Sequence, residues 1–214
     1  MTSISTQEET TLMNATSLTR APSPTIALAI ALAIALGGLA TAQDLHPSRR
    51  PSPTAISRTF VGDSYVSITY SRPYKRDRDN IFGTAEDEAL VPFGEVWRTG
   101  ANAATQFTAT GDITLNGQPL PAGTYSLFST PGADKWLIHF NSKLGLNGTF
   151  ARNPETGNFE NAYAEENNVL TLEVTPTVLE EEVDQFTISL DTEGETTDMV
   201  WQWITTEVRV AVAN

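Results

Sequence analysis

The chain has 214 residues, no cysteine, and 26 acidic against 13 basic side chains, a formal net charge of −13. Without cysteine there is no disulfide framework, no thiolate metal ligand, no cysteine nucleophile and no lipid-modified N-terminal cysteine. The acid excess repels nucleic-acid backbones and anionic membrane surfaces, and no basic run reverses it, so no nucleic-acid partner is expected.

The first element is not part of a fold. Ile26 to Ala40 reads IALAIALAIALGGLA, an apolar run of signal-peptide length and short of the roughly 20 residues of a spanning helix. Ala40-Thr41-Ala42 follows as an A-x-A cleavage pattern, which predicts a signal peptide over 1–42 and a mature chain from Gln43. Glu8 and Glu9 do not suit a basic leader, whereas a true start at Met13 would leave Arg20 as the sole charge before the apolar run. The expected location is exported, periplasmic or extracellular; the alternative is anchoring by an uncleaved N-terminal segment. Cleavage removes Arg20, Glu8 and Glu9, so the mature chain carries −12 and no membrane span. Its length suits one domain with its own core. Its lysines are Lys75, Lys135 and Lys143 alone, and an acid-rich, lysine-poor surface suits high salt.

Residues 43–54 (QDLHPSRRPSPT) read as a flexible leader, and the domain is expected over 55–214. From there the apolar period is two almost everywhere. Val66, Ile68 and Tyr70 share one face of a strand, and Thr105, Phe107 and Ala109 one face of another. Asp112 to Leu115 runs into Asn116-Gly117, a two-residue hairpin signal. Leu120 to Gly123 turns into the strand Thr124–Ser129, and Pro131-Gly132 turns into Trp136–Phe140. Val169–Val174, Phe186–Leu190, Met199–Ile204 and Val208–Val212 bring the total to about ten strands. The Asn/Gly-rich stretch 142–168 reads as a long loop with at most one turn of helix. Short antiparallel strands with closely spaced turns predict an all-β, single-domain antiparallel β-sandwich, with an open barrel as the alternative.

Catalytic chemistry is sparse. Two histidines and no cysteine give no metal-ligand cluster, so no metal and no cofactor is expected. There is no G-x-S-x-G, and His139, on the strand face opposite Trp136, Ile138 and Phe140, is the only base of the usual kind in the domain. Glu180 to Glu182 reads as a charged turn, and acidic residues are too numerous for any pair to mark a glycosidase.

Two patches stand out. Tyr70-Ser71-Arg72-Pro73 ends a strand that Pro73 cannot continue centrally. In Val96-Trp97-Arg98-Thr99-Gly100-Ala101-Asn102 an arginine leaves a strand beside a tryptophan, able to stack on an aromatic face or fork onto a carboxylate. Gly100 and Asn102 suit a positive φ, and Thr99 and Asn102 can satisfy loose backbone groups. Two readings stay open. In one, Arg98 pairs with an internal carboxylate and pins the corner. In the other, Arg72 and Arg98 converge on an anionic or polyhydroxyl ligand, with Tyr70, Trp97, Thr99 and Asn102 around it.

These motifs, with Ile81-Phe82-Gly83, Leu90 to Gly94, Leu120 to Phe128, Trp136 to Asn141 and Val200 to Trp203, resemble an exported bacterial family known as domain of unknown function 2911. The resemblance runs over about residues 50–212. It implies a β fold and an exported location, and it brings no reaction. Two departures stand out: Ala103 occupies a place where the family pattern often has Glu, and Thr84 to Ala89 looks inserted. The first leaves no general acid at that position.

The expected function is therefore an exported, non-catalytic binding or envelope-associated module, its partner a small molecule or an envelope component and its oligomeric state open. The alternatives are a hydrolase acting on a glycan or ester, and a structural or interaction module.

Overall fold

Alternation decides the two main layers. In strand β2 (Ser64–Ser71) Val66, Ile68 and Tyr70 are buried while Tyr65, Ser67 and Thr69 are not, as a period of two requires. A computed structural model describes residues 49–214. Over that span the chain is an all-β sandwich with no α-helix among the described residues. The expected signal peptide over 1–42 and the expected leader up to residue 48 lie outside the described residues.

The larger layer has six antiparallel strands in the order β1 (Thr54–Val61), β2, β5 (Thr105–Ala109), β8 (Gly123–Thr130), β9 (Trp136–Asn141) and β12 (Asn168–Val174). The smaller has four: β13 (Thr177–Glu193), β14 (Thr196–Ala213), β6 (Ile113–Leu115) and β7 (Gln118–Leu120). Their facing sides enclose Ile68, Phe107, Leu127, Ile138, Phe140, Trp203 and Val210, all almost fully shielded from water. Two short pairs complete the set, β3 (Phe82–Gly83) with β4 (Val91–Pro92), and β10 (Phe150–Arg152) with β11 (Phe159–Asn161).

The Asn116-Gly117 hairpin forms as predicted, with φ of 48° and 76° at its two turn residues. Three expectations are corrected. Met199–Ile204 and Val208–Val212 are parts of one 18-residue strand, β14. Ile204 at φ 49° marks the bend between them. Glu180 to Glu182 do not form a turn but lie within β13, where the register slips. From Val178 to Val183, β13 advances five residues while β14 advances two, from Thr206 to Ile204. The stretch 142–168 carries the β10–β11 hairpin and a 3-10 turn at Glu165–Asn167.

The YSRP stretch has a structural task. The phenol of Tyr70 bonds both backbone groups of Ile188. Arg72 Nε donates to Phe186 O at 3.1 Å, and its Nη2 donates to Thr187 Oγ1 at 2.6 Å. Phe186 N donates to Pro73 O, and Lys75 N donates to Asp184 O. Residues 70–75 thereby close the outer edge of β13, where unpaired backbone would otherwise face water.

Candidate functional site

The corner from Val91 to Thr105 is fixed one bond at a time. Trp97 exchanges two backbone hydrogen bonds with Ser129, 2.7 Å and 2.9 Å, which attaches the segment to β8. Its indole lies in the core, stacked on Trp203 (centroids 6.0 Å, 15°) and edge-on to Phe82, Trp136 and Phe186. The indole N–H donates to Gly100 O at 3.0 Å and so turns the chain back on itself.

Thr99 has φ 50°, unusual for a β-branched residue, at a cost of order 1–3 kcal/mol that its surroundings must offset. It is fully buried, its hydroxyl 2.9 Å from Ser129 Oγ. Thr105 closes the loop: its N–H reaches Arg98 O, and its hydroxyl donates to Thr99 O at 2.6 Å. Gly100 sits at φ 148°, and a Cβ there would stand 2.8 Å from Ser71 O.

Arg98 emerges from this frame half-buried. Its Nη1 donates to Asn102 O at 2.9 Å. A Cβ on Gly148 would come within 3.1 Å of its Cζ, so the guanidinium lies over that glycine. Among the described residues no carboxylate pairs with Arg98: the ion pairs are Lys75–Glu182, Lys135–Glu173 and Arg209 with Asp198 and Glu207. The expectation of an internal carboxylate partner is corrected. Burial pulls the guanidinium below its ordinary value, with no counter-charge to oppose the shift.

Arg98 faces a cavity of about 350 Å³. Arg76 and Arg78 line the same cavity, with Tyr74, Leu90, Trp97 and Trp203 as apolar walls and Asn102 also in the lining. Among the described residues no Asp or Glu lines it. Arg76, at φ 56°, donates to Pro51 O, and Arg78 donates to Lys75 O and Tyr74 O. All three guanidinium groups thus rest on backbone carbonyls, and none is paired with a carboxylate among the described residues.

Of the six residues singled out in the sequence, Trp97, Arg98 and Asn102 meet at this cavity. Tyr70 and Asn102 line a neighbouring one of about 340 Å³, where Ala103 also stands and which no Asp or Glu among the described residues lines. Thr99 is enclosed by the corner. Arg72 is turned to β13, so it does not converge with Arg98. Arg76 and Arg78 take the place expected of Arg72. They sit in Lys75-Arg76-Asp77-Arg78-Asp79, a charge-alternating run that reads as a solvated turn unless the chain's path past Pro73 is known.

His139 lies on the outer face of its sheet, as the alternation predicts, yet only 5 % exposed. Its ring nitrogens contact the Thr130 and Thr171 hydroxyls at 3.0 Å and 3.1 Å, and Tyr163 covers it edge-on. Burial holds its pKa below the ordinary value, against a smaller opposite pull from Glu165. No group of three or more metal-ligating side chains occurs among the described residues.

A family model described as Protein of unknown function (DUF2911) matches residues 52–212. No curated protein and no solved structure matches the chain.

Proposed function

We propose that this chain, which belongs to the DUF2911 family of unknown function, is an exported binding module that takes an anionic ligand at the Trp97–Asn102 corner. One observation carries the reading: three arginines line one cavity with no carboxylate beside them among the described residues, in a chain of net charge −13. A half-buried guanidinium bonded only to a carbonyl has lost hydration without gaining a counter-charge. An incoming phosphate, sulfate or carboxylate supplies that charge and accepts the forked N–H donors. The aromatic walls give the contact an apolar flank, and the strained, hydrogen-bonded corner holds Arg98 before any ligand arrives. The export half of the reading rests on the apolar run 26–40 and its A-x-A site, and points to an envelope component as the source of the ligand. A hydrolase working through paired carboxylates would need an acid in this cavity, and the described residues of its lining supply none.

The test is titration of the purified protein with glycerol 3-phosphate, read by tryptophan emission because Trp97 and Trp203 line the cavity. Saturable binding is expected, weakened about tenfold or more in Arg98→Met, since a hydrogen bond to a charged group contributes roughly 1.5–3 kcal/mol. Absence of a saturable response in the parent protein, or an unchanged affinity in the variant, would overturn the reading.

A further inference from the structure

The arginine cavity has a neighbour at Arg98. A third cavity, of about 250 Å³, shares Leu90, Val91, Trp97 and Arg98 with it, so the two adjoin along those four residues. The third cavity is walled also by Pro92, Val96 and Phe150, with Thr149 and the exposed Glu95 in its lining. Leu90 and Phe150 belong to different elements, the approach to β4 and the β10 strand, and each leaves 47 % of its surface in water. Neither belongs to the buried core. Large apolar side chains left wet together in a groove, beside a cluster of unpaired cations, mark a ligand that has both characters.

Resting on the anion-binding reading above, we infer that the ligand is a phosphate-headed amphiphile bound as a single molecule. Its phosphate meets Arg76, Arg78 and Arg98, and its alkyl chain passes Arg98 to lie against Leu90, Val96 and Phe150. Three forked donors suit a group with more oxygens than a carboxylate has. A purely hydrophilic anion would leave Leu90 and Phe150 exposed, and a neutral lipid would leave the arginines without a counter-charge. The acidic surface opposes docking onto a flat anionic bilayer, so the fit is to a monomer drawn into the groove.

The experiment compares two probes on the purified protein: dihexanoyl phosphatidylglycerol, kept below the concentration at which it forms micelles, and glycerol 3-phosphate. The amphiphile is expected to bind about tenfold tighter or more, because only a few buried methylenes are needed for that ratio. Val96→Ser with Phe150→Ser, two residues that line only the third cavity, should reduce its affinity to that of glycerol 3-phosphate and leave the latter unchanged. Phe150→Ser alone, on an exposed strand outside the core, gives the same reading in part should the double variant fail to fold. Equal affinities for the two probes would overturn the amphiphile while leaving the anion site standing. An unaltered amphiphile affinity in the folded variants would overturn it as well, and failure of both probes to bind would remove both readings.

Discussion

Tyr70 and Ile188, 118 residues apart in sequence, are joined twice through one oxygen. The phenol donates to Ile188 O at 3.0 Å and accepts from Ile188 N at 2.9 Å, in a buried setting. Ile188 pairs with Trp201 on the other side of β13, so the phenol stands where a further strand would be. Tyr70→Phe keeps the ring, with its edge contact to Phe186, and leaves both backbone groups of Ile188 without a partner. The expected loss is about 1–3 kcal/mol. A urea unfolding curve should show a lower midpoint with an unchanged slope. An unchanged midpoint would mean that another group reaches Ile188.

Arg98→Met separates structure from binding. Removing one member of a buried ion pair costs about 3–5 kcal/mol, whereas a single hydrogen bond to a charged group is worth about 1.5–3 kcal/mol, and Arg98 is only half-buried. The variant should therefore lose less stability than a broken ion pair would cost while losing anion affinity. A loss in the ion-pair range would make the arginine a structural pin.

The layers were legible from the chain because Val66, Ile68, Phe107 and Ala109 alternate with polar neighbours, and burial follows alternation. β1 was not, because its large apolar side chains, Ile56 and Phe60, point outward at 62 % and 66 % exposure and give no core signal. The Glu180–Glu182 bulge was illegible for a similar reason: a strand edge rich in acid reads as a turn. Within the site, the Trp97–Asn102 corner could be named from its residue types, since glycine, asparagine and an arginine beside a tryptophan have few uses in a strand. What composition cannot give is direction. Arg72 and Arg98 are alike in sequence, yet the first spends its donors on β13 and the second lies over Gly148. Arg76 and Arg78 join the cavity only because the chain turns along β13 after Pro73.

Two glycines of the corner should respond differently to alanine. At Gly100 the added Cβ meets the backbone oxygen of Ser71 at 2.8 Å, an atom fixed by β2, at a φ of 148°. Gly100→Ala is expected to destabilise by more than about 1 kcal/mol and to lower the thermal midpoint by several degrees. At Gly148 the nearest atoms are the far end of Arg98, within 3.1 Å. Gly148→Ala, at φ 68°, should cost about 1 kcal/mol in strain and also push the guanidinium off its place. Its anion affinity should fall with the wild-type fold retained. If Gly148→Ala binds glycerol 3-phosphate as the parent does, the position of Arg98 over that glycine does not matter to the site.

The buried histidine sets an acid limit on stability. His139 is held between the Thr130 and Thr171 hydroxyls, and burial, the larger influence, lowers its pKa despite Glu165. The folded state therefore keeps the ring neutral at pH values where the unfolded chain, titrating near 6.5, takes up a proton. Because the unfolded state then binds more protons, stability is complete above about pH 6.5 and declines as the pH falls from there toward the lowered folded value. The slope contributed by one such group cannot exceed about 1.4 kcal/mol per pH unit. Most carboxylates titrate near pH 4, so urea midpoints at pH 8, 6.5 and 5.5 sample chiefly histidine. The only other histidine, His46, precedes the described residues. In His139→Gln the amide retains hydrogen-bonding capacity without a charge to acquire, so the decline between pH 6.5 and 5.5 should flatten even if the midpoint at pH 8 is lower. Parallel declines in parent and variant would assign the acid sensitivity to other groups and return His139 to a neutral packing role.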